Sequence, residues 1–166
     1  GAKRGIEARP KFLLLTLFAA LGAWWFYFKL GFSSIHIPRL GEFEIGLWYI
    51  PLFILVITST ANAVNITDGL DGLAGGLLIL AFTVFGAIAF AKGLLILTIF
   101  CAILIGSLLA YSWNNVPPAL YYMGDTGALA YGATLGVIAM MTNSLVVLLV
   151  VGAVFIVETL SVIIQL

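Results

Sequence analysis

Charge is scarce in this sequence, and so are the side chains that usually carry chemistry. Only 8% of its 166 residues are charged, against 63% apolar, and the mean hydropathy is +1.22. An ordinary soluble domain is about a quarter charged, so a water-facing globule is excluded and lipid becomes the solvent for the fold. Seven basic residues balance seven acidic ones, which removes any electrostatic case for a nucleic-acid partner. The single cysteine, Cys101, excludes a disulfide within the chain. Set in the apolar run Ile99 to Ile105, it reads as a small hydrophobe packed on a neighbouring helix. The opening Gly-Ala-Lys-Arg lacks an initiator Met and a signal peptide, and the last residues are apolar. The sequence is therefore read as an internal piece of a longer protein.

What is present is length of apolar chain. A spanning helix needs about 20 mainly apolar residues, because each advances about 1.5 Å across a hydrocarbon core of about 30 Å. Six runs qualify, approximately 12–30, 46–64, 70–91, 93–113, 125–142 and 144–166. Unpaired backbone is prohibitive in hydrocarbon and the runs are too long for barrel strands, so all six are expected to be helices. The fold class is all-α: a polytopic transmembrane bundle of about six helices, forming one membrane-embedded domain over 1–166.

Lys3, Arg4, Arg9 and Lys11 precede the first run, which puts that end in the cytoplasm by the positive-inside tendency. The loop 31–45, with His36, Arg39, Glu42 and Glu44, then lies outside, flanked by Trp24, Trp25, Tyr27 and Trp48 as an aromatic belt. Lone His36 is read as solvated and on the wrong side for chemistry. Threading the rest brings every Asp and most of the Asn to the cytoplasmic face, although the runs were drawn from apolar length alone.

Two constellations form that polar mouth. In the first, Asn62, Asn65, Asp68 and Asp71 recur every three residues, with Gly69, Gly72 and Gly76 among them. Such residues share one side of a helix, and carboxylates at a span end need water, a cation or a donor. Helix capping, with Asp68 as N-cap and Asp71 three residues on, is the structural alternative; it calls for one carboxylate and leaves Asn62 and Asn65 unaccounted for. The second constellation runs from Trp113 to Gly127 and holds Asn114, Asn115, Pro117, Pro118, Tyr121, Tyr122 and the turn Gly124-Asp125-Thr126-Gly127. Asp125 could cap the fifth helix or hold a cation. Two loops presenting Asp, Asn and Gly to one face fit a hard divalent cation with a phosphorylated substrate, so magnesium is the expected cofactor. Glu158 and Gln165 are seven residues apart on one face of the last run; Glu158 lies mid-span, Gln165 at the mouth.

The stretches NAVNITDGLDGLAGG, WNNVPPALYYMGDTGALAYG and VFIVETLSVIIQ, in that order, resemble the polyprenyl-phosphate N-acetylhexosamine 1-phosphate transferases. TDGLDGLA, MGDTGALA and VETLSVIIQ are similar to the bacterial branch of that family that handles the muramoyl-pentapeptide. The resemblance implies transfer of phospho-N-acetylmuramoyl-pentapeptide from UDP to undecaprenyl phosphate, with magnesium, at the cytoplasmic face of the inner membrane. It implies Asp125 as magnesium ligand, and Asp125 and Asp68 as catalytic carboxylates. Asn65, Asp68, Gly69, Leu70 and Asp71 would line the nucleoside pocket, with Asp71 at the uracil end, Asn62 and Asn115 the same cleft, and Gln165 would face substrate. Tyr122 stands where many members have a uracil-stacking Phe, and keeps the aromatic face. Two family features are absent from the sequence: an Asp-Asp pair expected before its start and a His-rich loop expected after its end. Ten helices are usual, so six are an inner portion, expected to be inactive alone. Lys3, Arg4 and Lys11 either attract phosphates or set topology. Alternatives are the N-acetylglucosamine branch and, in another class, a cation-coupled transporter, whose broken-helix sites lie near mid-membrane rather than at one face. Gly72/Gly76 and Gly132/Gly136 are GxxxG-like pairs that fit packing within a subunit or a homodimer.

Overall fold

The computed structural model describes residues 8–69, 72–116, 119 and 121–165, the side chains of 8, 9, 162, 163 and 165 excepted. Helix α1 is Ala8–Phe28, α2 Tyr49–Thr67, α3 Leu73–Ala91, α4 Leu95–Asn115 and α5 Gly124–Met141, followed by α6 Leu145–Val151 and α7 Ala153–Gln165. Four of them, α1 to α4, are long and apolar enough to cross a membrane. Helix α5, with 18 residues and about 27 Å of rise, is tied at its start to Asp68 and just past its end to Lys92. Large side chains on α1 and α4, such as Leu13, Phe18, Ile96 and Ile103, are exposed as lipid-facing residues are. Cys101 is fully buried, as expected of a small packing residue.

The structure corrects the sequence reading in two places. The last apolar run is not one continuous helix: α6 ends at Gly152 (φ −79°, ψ −4°), whose N–H closes its last turn on the Leu148 carbonyl at 2.7 Å, and α7 starts at Ala153. The outer loop 31–45, read only as a loop, holds a hairpin. Strands β1 (Ser34–Ile37) and β2 (Gly41–Glu44) pair antiparallel, with His36 opposite Glu42, and Arg39 at φ 72° and Gly41 at φ 97° make the turn. The signal was available in the alternation of Ile35 and Ile37 with His36, and of Phe43 and Ile45 with Glu44, on either side of Pro38 to Gly41.

Helix α2 is the hub, packing on α1, α5 and α7, while α3 packs on α4. Because lipid offers no hydrophobic drive between helices, close approach of backbones must do the work. On α5, a Cβ at Gly132 would lie 2.6 Å from Ala61 Cα and one at Gly136 2.7 Å from Thr60 Oγ1, so these two glycines let α5 lie against α2. That pair therefore serves packing within the chain. Hydroxyls on α2 (Thr58, Thr60, Thr67) return to carbonyls four residues back at 2.8 Å, satisfying polar groups that lipid cannot.

Alternation of the helices leaves two distinct ends. At one, the backbone N–H of His36 donates to Asn143 Oδ1 at 2.8 Å and the Lys92 ammonium to the Thr142 carbonyl. At the other stand Lys11, Asn62, Asn65, Asp68, Gly72, Asn115 and Asp125, joined by the contacts described below.

Candidate active site

Two buried side chains, each at the end of one helix, cap the start of a different one. Helix α2 stops at Thr67, and the chain needs the left-handed Gly72 (φ 76°) to turn into α3. The first amide of that turn, Gly72 N–H, donates to Asn115 Oδ1 at 2.8 Å, and Asn115 Nδ2 donates to the Tyr121 carbonyl at 2.6 Å. Asn115 is 2% exposed at the last turn of α4. That helix ends there because Val116 precedes Pro117 and is pushed to extended backbone (ψ 139°). Reciprocally Asp68, just past α2 and 8% exposed, accepts from Gly124 N–H at 3.0 Å and from the Tyr111 hydroxyl at 3.4 Å. The Tyr111 hydroxyl in turn accepts from Met123 N–H at 3.1 Å. Asp68 is thus a cap, but for α5 rather than for α3 as local spacing suggested. Burial pushes its carboxyl above the usual carboxylate range; the Gly124 amide, Tyr111 hydroxyl and Met123 amide pull it back, and the charge of Asp125 adds to the rise.

With α5 capped from α2, Asp125 is released from capping. It lies inside the first turn of α5, its side chain 51% exposed, and its carboxylate pairs with the Lys11 ammonium of α1 and with the Asn65 side chain of α2. Beside them a cavity of about 160 Å³ is lined by Lys11, Phe12, Leu15, Asn62, Asn65 and Leu129. Asn62 faces it while its amide nitrogen donates to the Thr58 carbonyl at 2.7 Å.

The structure therefore gathers Asn62, Asn65, Asp68, Asn115 and Asp125 at one end, with Gly69 and Tyr122 exposed on the loops beside them. Leu70 and Asp71 lie outside the described residues, as does the side chain of Gln165, although α7 ends at that position. Glu158 is half-buried on α7 and is not among the contacts of this cluster. Sequence reasoning missed Tyr111, and the signal was available: it stands four residues before Asn115, on the same face of α4. It also missed Lys11 as the partner of Asp125, since a contact between residues 114 apart has no local signature.

Among the described residues no three of His, Cys, Asp and Glu gather closely enough to hold a metal by themselves. One exposed carboxylate beside an amide suits a magnesium ion that takes its other oxygens from substrate phosphates and water. The donor set at Asp125 is of that kind.

Comparison with known proteins gives the cluster a context. The profile of glycosyl transferase family 4 matches residues 3–143. A Chloroflexus aggregans protein named phospho-N-acetylmuramoyl-pentapeptide-transferase is 43% identical over 168 residues, covering 97% of this chain and 46% of its own length. Proteins of the same name from Clostridium perfringens and Desulforapulum autotrophicum are 40% and 41% identical, each over 97% of this chain and 50% of its own length. The chain thus spans about half the length of the curated relatives it matches. With the profile extending from the first residues to the turn after α5, the chain belongs to glycosyl transferase family 4.

Proposed function

We propose that the complete enzyme transfers phospho-N-acetylmuramoyl-pentapeptide from its UDP carrier to undecaprenyl phosphate. The products are lipid I and UMP, and the site faces the cytoplasm from the bacterial inner membrane. The relatives' shared name supports this reading. One observation carries it: at one end of an apolar helix bundle, Lys11, Asn62 and Asn65 line a polar cavity beside the Asp125 carboxylate. An apolar groove, about 240 Å³, runs between α2, α5, α6 and α7 past Leu52, Leu55, Leu148 and Phe155 and reaches Val64. The polar cavity, with Asn65, opens on a different side of α2, beside Asp125. An acceptor with a long apolar tail and a phosphate head needs a polar site at the end of apolar helices.

Phosphoryl transfer asks a protein mainly for positioning and charge neutralisation. Magnesium, held by Asp125, would supply neutralisation of the diphosphate and the departing UMP. Asn62 and Asn65 offer amide groups to oxygens entering the cavity, and Tyr122 offers an exposed ring on which uracil can stack. The Asp68 cap ties the first turn of α5 to the end of α2 and the Asn115 cap ties the start of α3 to the end of α4, which pre-organises the helix ends around the cavity.

The test is exchange of labelled UMP into UDP-sugar by the full-length protein, with undecaprenyl phosphate, with and without magnesium. The muramoyl-pentapeptide nucleotide should exchange and UDP-N-acetylglucosamine should not. Asp125→Asn should abolish exchange while the protein stays folded. Exchange of UDP-N-acetylglucosamine alone would transfer the chain to the sister branch, and exchange of neither would overturn the reading.

A further inference from the structure

Lys11 and Asp125 meet from positions 114 residues apart, and their contact closes the polar end between α1 and α5. Of the other cations whose side chains are described, Lys29, Arg39 and Lys92 belong to the opposite end. The pair is open to solvent, at 27% and 51% exposure, so neither charge is locked in place. Lys11 also lines the cavity shared with Asn62 and Asn65, which places its ammonium between two destinations, the carboxylate and the cavity. A lysine is a compact charge with three donors on a flexible stem, suited to changing partners.

We propose that Lys11 is an exchangeable counter-ion. It neutralises Asp125 while no divalent cation is bound, and when one arrives it turns into the cavity to pair with the nucleotide's diphosphate. This rests on the reading of Asp125 as the cation ligand. The physical reason is charge. Lys11 and a divalent cation cannot occupy the same exposed carboxylate without strong repulsion, whereas a diphosphate entering the cavity attracts both. With Lys11 on it Asp125 is balanced one for one, and a divalent cation in its place leaves positive charge there that favours an anion of more than one charge. Lys11 in this role is a positioning residue for Asp125 and a binding residue for the nucleotide.

The proposal predicts effects of opposite sign from one substitution. In the full-length protein in detergent, free Mn²⁺ is counted by its electron paramagnetic resonance signal, without nucleotide. Lys11→Met should tighten Mn²⁺ binding by about twofold to fivefold, the size of one partly exposed ion pair. At saturating Mn²⁺ the same variant should weaken UDP by about tenfold, as loss of one charge-assisted hydrogen bond does. Lys11→Arg keeps the charge and should bind Mn²⁺ no more tightly than wild type. If Lys11→Met is recovered unfolded, Lys11→Gln takes its place. Unchanged or weaker Mn²⁺ binding in the uncharged variant overturns the proposal, and so does unchanged UDP binding. Equal Mn²⁺ binding by Asp125→Asn and wild type removes the ligand assignment and the proposal with it. Failure of the lipid I reading has a separate signature, absent exchange with these binding shifts intact.

Discussion

Asp68 and Asp125 stand at the same end of the bundle, yet one is 8% exposed and the other has its side chain half open to solvent. Their chemistry is the same before folding, and their neighbours separate them afterwards. Asp68 spends its oxygens on Gly124 N–H and Tyr111, while Asp125 faces an ammonium and an amide that a cation or substrate could displace. Removing the first should therefore act on the fold and changing it conservatively should not. Asp68→Ala leaves the Gly124 amide without its buried partner and is expected to cost about 1–2 kcal/mol. Asp68→Asn keeps an acceptor for that amide and should recover most of the loss. Thermal unfolding of the full-length protein in detergent measures both. Retained stability with lost turnover in Asp68→Asn would assign the carboxylate's charge to the chemistry and not to the cap alone.

At the level of helices, packing depends on side chains that are missing. Gly132 and Gly136 face α2 so closely that a Cβ at Gly132 would lie 2.6 Å from both Ala61 Cα and the Thr60 carbonyl oxygen, rigid backbone that cannot step aside. Gly76 on α3 has open space around it. Gly132→Ala should accordingly lower stability by about 1–3 kcal/mol through overpacking. Gly76→Ala should be neutral or gain up to about 1 kcal/mol from helix propensity. Comparing the two unfolding midpoints in one detergent decides it, and equal midpoints would refute the α2–α5 contact as described. Because Asp125 sits one turn ahead of Ala128 and Leu129 on the same helix, displacement of α5 should also disturb the polar end.

For the whole molecule, alternation of the helices forces a division between an end built from the hairpin and short turns and an end built from Asp, Asn and Gly. The contacts of His36 with Asn143 and of Lys92 with Thr142 tie the first, and the two interhelical caps tie the second. Single cysteines at Arg39 and at Asn114, both exposed, should thus react with an impermeant thiol reagent from opposite sides of sealed vesicles. Native Cys101, fully buried, should stay unlabelled and give a clean background. Labelling of both positions from one side would contradict the threading.

Apolar length alone determined the helices, their number to within the break at Gly152, and the gathering of Asp and Asn at one end, because each crossing reverses the chain and few polar residues are available to be placed. The motif residues Asn62, Asn65, Asp68, Asn115 and Asp125 were legible for the same reason: polar groups at the ends of apolar runs stand out. The hairpin was passed over although Ile35/Ile37 and Phe43/Ile45 alternate around Pro38 to Gly41, because each strand is only four residues long. Only the tertiary structure decided which polar group serves which. Local spacing offered Asp68 to α3 and Asp125 to α5; folding gave Asp68 to α5 and Asn115 to α3, and so left Asp125 free to meet Lys11 and Asn65. A cap needs only an acceptor within hydrogen-bond distance of an open amide, and which acceptor comes that near depends on how the helices pack, not on spacing along the chain.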